Sequence, residues 1–142
     1  MTAAAHDSLE ATQLGLNVQV SATDAPGPRH VKVEVRVDPD QIHFNLDAGK
    51  WNDNVEIAWI ELNSKGADIG HGEKTLAMNY PDAEHDKVLR EGLTFANTIG
   101  LMDDCVELRL VARDDSTGAI GSVNIPLGRI FKNTGLADVP KN

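Results

Sequence analysis

One cysteine, Cys105, stands among 142 residues, so the chain closes no disulfide within itself and offers no multi-thiolate metal site. Aromatic residues make up 4% of the chain, little material for an extended stacking surface. No run approaches the roughly 18 apolar residues of a membrane-spanning helix, so membrane insertion is not expected. Cations are scarce: Lys plus Arg is 13 against 22 for Asp plus Glu, a net charge of −9. That sign repels phosphate backbones and anionic lipid heads, which argues against nucleic acid and membrane surfaces as partners. Glycines never fall in the G-x-x-x-x-G-K or G-x-G-x-x-G patterns, which removes the common nucleotide folds. The start, Met1 to Asp7, lacks the basic stretch and apolar run of a signal peptide. Two compartments fit: the cytoplasm, or the extracytoplasmic space if the chain is a domain of a longer exported protein.

What is present is aliphatic and alternating. Hydrophobic residues reach 41%, enough for one folded domain with its own core. In residues 30–38 every second residue is valine and every intervening one polar, the pattern of a strand with one buried face. Residues 14–22 repeat it, and the turn cluster Asp24 to Pro28 joins the two as an antiparallel pair. A short strand is expected at 42–46, then a polar loop at 47–54. The next strand, 55–62, is apolar on both faces and reads as central. Further strands are expected at 74–80, 93–99, 106–113 and 119–126, the last two joined by the turn residues Asp114 to Gly118. One helical window, 82–92, has Asp82 to cap it and Gly92 to stop it, and is long enough only for a crossover.

Seven to eight short strands, one crossover helix and no βαβ rhythm indicate an all-β chain, an immunoglobulin-like antiparallel β-sandwich, with an eight-stranded barrel as the competing closure. The expected boundaries are a flexible segment at 1–13, the sandwich at 14–131 and a tail at 132–142.

Chemistry is sparse. The five histidines, His6, His30, His43, His71 and His85, form no H-x-H, H-x-x-x-H or H-E-x-x-H pair, so no zinc motif is legible. Cys105 follows Asp103 and Asp104, whose charge raises a thiol pKa and so opposes a nucleophilic role. Ser122 lacks the G-x-S-x-G elbow of hydrolases. No catalytic site is expected, and no cofactor. Alternate loops of a sandwich share an end, so Asp38 and Asp40 after one strand and Asp114 and Asp115 after another could gather carboxylates for Ca²⁺. Aspartate is also simply a favoured turn residue. Trp59 on the central strand reads as a core residue. Trp51, in the expected polar loop, either folds back over the sandwich edge or anchors a partner; a sugar platform would use it with Trp59 or Tyr80.

The segment 108–127, with its R-D-x-x-T-G-x-x-G-S turn from Arg113 to Ser122, resembles the closing hairpin of the C-terminal β-sandwich of bacterial exported proteins described as VWFA-related. Val37-Asp38-Pro39, the surroundings of Trp51 and residues 89–93 fit the same module, and the likeness covers residues 30–130. It implies a non-catalytic module beside an adhesion-type domain and an extracytoplasmic location. The D-x-S-x-S metal motif of that other domain is not matched by Asp114 to Gly118, so no metal site is carried over. A protein partner is expected, received at a sheet edge formed by the early or final strands.

Overall fold

The computed structural model describes residues 12–23 and 29–128. Within them the chain forms two antiparallel sheets packed face to face. The expected turn at 24–28, the tail at 132–142 and residues 129–131 lie outside the described residues.

The valine alternation sets the smaller sheet. In β2 (His30–Val37), Val31, Val33, Val35 and Val37 are fully buried while Lys32 and Arg36 face solvent. Full burial of one such side chain contributes about 1.5–3 kcal/mol relative to exposure, which fixes the register, because a one-residue slip would turn all four outward. β1 (Leu16–Ala22) and β6 (Leu93–Gly100) flank β2, with Val18 and Phe95 both opposite Val35.

The larger sheet is organised by β4 (Lys50–Leu62), a 13-residue strand. One of its edges pairs with β5 (Asp68–Tyr80) from Trp51 onward. The other pairs with β7 (Glu107–Asp114) from Val55 onward and with the three-residue β3 (Asn45–Asp47) at its start. β8 (Ile120–Pro126) completes the sheet beside β7. Val55 and Ile57 of β4 and Leu108, Leu110 and Ala112 of β7 meet the valines of β2 in one core. On the outer face Ile60 and Val111 form a smaller cluster with Leu62 and Ile120.

The polar loop expected at 47–54 is instead a tight hairpin. Ala48 and Gly49 both have positive φ, 51° and 77°, the signature of a two-residue hairpin turn, and Asp47 pairs with Lys50 across it. β4 therefore begins five residues earlier than its apolar run. β5 also starts earlier than expected, at Asp68. Its early half holds two glycines where a side chain would collide: a Cβ on Gly72 would lie 2.5 Å from the Trp59 ring.

α1 (Asp82–Glu91) carries the chain from β5 in the larger sheet to β6 in the smaller one. Pro81, not Asp82, occupies its cap position, and Gly92 ends it with a φ of 89°. Among the described residues, eight strands in two separate sheets make a sandwich and not a closed barrel. The strand order, β1-β2-β6 against β5-β4-β7-β8 with the short β3 beside the start of β4, is immunoglobulin-like. Residues 12 and 13 lie against β8. Thr12 bridges Gly121, and the Gln13 side-chain oxygen accepts from Ile120 N at 3.2 Å.

Candidate functional site

Three regions carry the residues of interest: the end of the sandwich around β3, the opposite end around Cys105, and the flank where β5 and β6 lie.

At the β3 end, the chain leaves β2 through Asp38 and a 3-10 turn, Pro39–Gln41, and returns to the larger sheet at His43. Asp38 and Asp114 are thus at the same end of the sandwich, as alternate loops require. They are not gathered into one group. The Asp38 carboxylate accepts from Asp40 N at 3.0 Å and caps the turn. The Asp115 carboxylate accepts from Arg113 at 2.8 Å. Arg113 also lies 3.4 Å from Glu56, whose carboxyl is held above its ordinary pKa chiefly by Asp115 beside it. Asp114 is fully buried and accepts from His43 N at 2.7 Å and from Ser116 N at 3.0 Å. Among the described residues, no three His, Cys, Asp or Glu side chains are grouped to hold a metal ion.

Asp53 was missed by the sequence reading, and it is the residue that Asp114 meets. It sits at an inward position of β4, two before Val55, and is 7% exposed. Its Oδ1 accepts from Asn54 N at 2.8 Å and from the Ser116 hydroxyl at 2.7 Å. Burial first, and the neighbouring Asp114 carboxyl second, push its pKa up to about 6. A carboxylate at an inward, alternating position was the available signal, masked by the polar residues around it.

Trp51 lies in β4 rather than in a loop. Its indole stacks on the His85 ring of α1, centroids 4.0 Å apart, and its Nε1 donates to Asp82 at 2.8 Å. Phe44 meets His85 edge-on at 4.9 Å and Tyr80 at 6.2 Å. One face of the indole is therefore occupied by protein. Asp82, expected to cap the helix, serves as the indole's acceptor.

At the far end, Cys105 is 1% exposed and its thiol donates to the Glu107 carbonyl. Its pKa is raised by burial and then by Glu61, not by the two preceding aspartates. Glu61, itself buried, accepts from Met102 N at 2.6 Å. Ser122 is buried beside Arg109, 3.4 Å from its guanidinium. His71 is exposed and pairs with Asp68 at 3.2 Å.

The two flanks of the sandwich differ. On one, β1 lies beside β8, and residues 12–14 close the gap: Leu14 N donates to Ile120 O at 3.1 Å, and a Cβ on Gly121 would strike the Leu14 carbonyl. On the other, β5 and β6 are both edges, and Trp59 of β4 and Phe95 of β6 stack between the sheets with centroids 6.3 Å apart. Among the described residues nothing pairs with the outer edge of β5 or of β6. Except for Met78, the side chains of β5 are half-buried or exposed along all 13 residues. Glu73 and Lys74 put opposite charges at its middle.

Fold and surface together define an antiparallel β-sandwich with one closed and one open flank. No protein-family model and no curated protein matches the chain. A crystal structure of a "putative beta-galactosidase" from Bacteroides fragilis is similar to it with a TM-score of 0.49 and 13% sequence identity. The match covers 82% of this chain and 17% of that one, and at this level it carries nothing about activity.

Proposed function

We propose that the chain is a non-catalytic binding module of an exported bacterial protein, and that a protein partner joins it by adding an extended segment to the β5 edge. The observation that carries this reading is the 13-residue edge strand on the open flank. An unpaired strand edge presents a row of amide donors and carbonyl acceptors, and strand addition converts these into main-chain hydrogen bonds. The charged pair at the middle of β5 discourages indiscriminate pairing while leaving its ends open. The early strand β1 and the final strand β8 lie beside each other with residues 12–14 closing the gap, so the edge that supports this reading is β5. Export and the VWFA-related kinship rest on the resemblance of the closing hairpin and of the segments around Asp38, Trp51 and residues 89–93.

Neither alternative gains an observation. A calcium site at Asp38, Asp40, Asp114 and Asp115 lacks a common donor group, and a sugar platform at Trp51 has one ring face stacked on His85.

Selection of binding peptides from a random display library, mapped by amide chemical shifts, tests the reading. Binders are expected to perturb residues 68–80 and to lose at least tenfold in affinity against Thr75→Pro, which removes an edge amide. Perturbations centred elsewhere, or indifference to the proline, would contradict it.

A further inference from the structure

The buried pair Asp53 and Asp114 is more than turn chemistry. Asp114 is completely buried and both of its oxygens accept backbone N–H groups, His43 N at 2.7 Å and Ser116 N at 3.0 Å, the environment of an ionised carboxylate. Asp53 differs. Its Oδ1 is satisfied by Asn54 N and Ser116 Oγ, while its Oδ2 is shut off from solvent with no partner. An orphaned carboxylate oxygen is expensive; a protonated one facing a neighbouring carboxylate is a donor with an acceptor in reach. Ser116 ties the two carboxyls together, its hydroxyl donating to Asp53 at 2.7 Å and its N–H to Asp114 at 3.0 Å.

Among the described residues no cation pairs with either carboxyl. β5 places Met78 opposite Asp53, and β3 contributes the neutral Asn45 through Ser116. The charged groups nearest in sequence are Lys50 and Glu56 on β4 and Arg113 and Asp115 at the end of β7: Lys50 is exposed beside the hairpin turn, and the other three form their own cluster. α1 contributes His85, which packs on Trp51. Two carboxylates in such a site cannot both ionise without penalty.

We propose that Asp53 and Asp114 share one proton, held on Asp53 Oδ2, and that this proton latches the segment from His43 to Asp47 onto the end of the larger sheet. The latch acts through two connections. His43 N donates directly to Asp114, and Asn45 Nδ2 donates at 2.9 Å to Ser116 Oγ, which in turn donates to Asp53. Phe44 packs on His85 and Tyr80 beside it, but β3 itself has little else to hold it: its three residues are all exposed, and it pairs only with the first three residues of β4. Loss of the proton to solvent leaves two buried charges facing each other, and the cheapest relief is to open the weakest element. The segment is thus locked under mildly acidic conditions and released as the pH rises.

Amide hydrogen exchange from pH 5 to 8, corrected for the intrinsic rate, is the test, with wild-type protein and Asp53→Asn. The asparagine mimics the protonated acid, donating from Nδ2 and carrying no charge. Exchange at His43 and at β3 in the wild type is expected to speed up about tenfold or more across this range, while the β2 amides stay protected and Asp53→Asn shows no such change. Equal pH profiles in the two proteins would overturn the proposal. A second readout needs no comparison of stabilities: the infrared band of a protonated carboxyl, present at pH 5 in the wild type and absent in Asp53→Asn. Failure to find that band in the wild type would also overturn it.

Discussion

The indole of Trp51 lies flat on the imidazole of His85, the rings 4.0 Å apart and within 5° of parallel. Strand β4 and helix α1 are joined at this point, because the same indole donates to Asp82 in the helix's first turn. Removing the ring with Trp51→Ala is expected to cost about 1–3 kcal/mol, since it deletes both the stacking and the hydrogen bond. A double-mutant cycle with His85→Ala in urea denaturation is expected to return a coupling of about 0.5–1.5 kcal/mol. Additive effects would show that the two rings are neighbours without consequence.

A methyl group on Gly72 would be driven into Trp59, whose ring atoms lie 2.5 Å from the position it would take. Gly72→Ala is therefore expected to destabilise the fold by about 1–3 kcal/mol and to alter the near-ultraviolet circular dichroism of the tryptophans. An unchanged spectrum would mean that β5 shifts away from β4 and leaves Trp59 in place.

The pKa of Asp53, raised from 3.8 to about 6, sets a sign for pH dependence. The folded state keeps a proton that the unfolded state gives up above pH 4. The contribution to stability is fully present below about pH 4, is lost as pH rises toward 6, and stays lost above it. Asp53→Asn is expected to be more stable than the wild type at pH 8, by on the order of 2 kcal/mol, and close to it at pH 4. Urea midpoints at the two pH values decide this, and a variant weaker at both would contradict it.

Cys105 is buried, and burial together with Glu61 keeps its thiol protonated at neutral pH. Its reaction with a thiol-specific disulfide reagent is expected to be at least a hundredfold slower in native protein than in urea. Rapid native reaction would place the thiol at an accessible site.

The fold was legible wherever alternation was clean. The valines of β2 and the leucines of β7 announce inward faces, and the Asp114 to Gly118 turn announces its hairpin. Reading failed where polar residues occupy inward or paired positions. Asp53 breaks the apolar alternation of β4, so residues 50–54 look like a loop, and the turn at Ala48-Gly49 uses an alanine where asparagine or aspartate would have signalled it. Gly70 and Gly72 hide the first half of β5 for the same reason: they make room for Glu61 and Trp59 and carry no strand propensity of their own. Asp38 and Asp114 share one end of the sandwich. Which acids meet there was not legible, because Asp53 is 61 positions from Asp114 and only the β4–β7 register, which sets Val55 opposite Asp114, brings them together.

The open β5 edge is tested most directly by residue-resolved hydrogen exchange of the amides from Asp68 to Tyr80 in the free protein. An edge strand bonds to its neighbour through every second amide, so slow and fast exchange are expected to alternate along the strand. Uniform protection of all of these amides would show the edge to be covered already, leaving no place for an added strand.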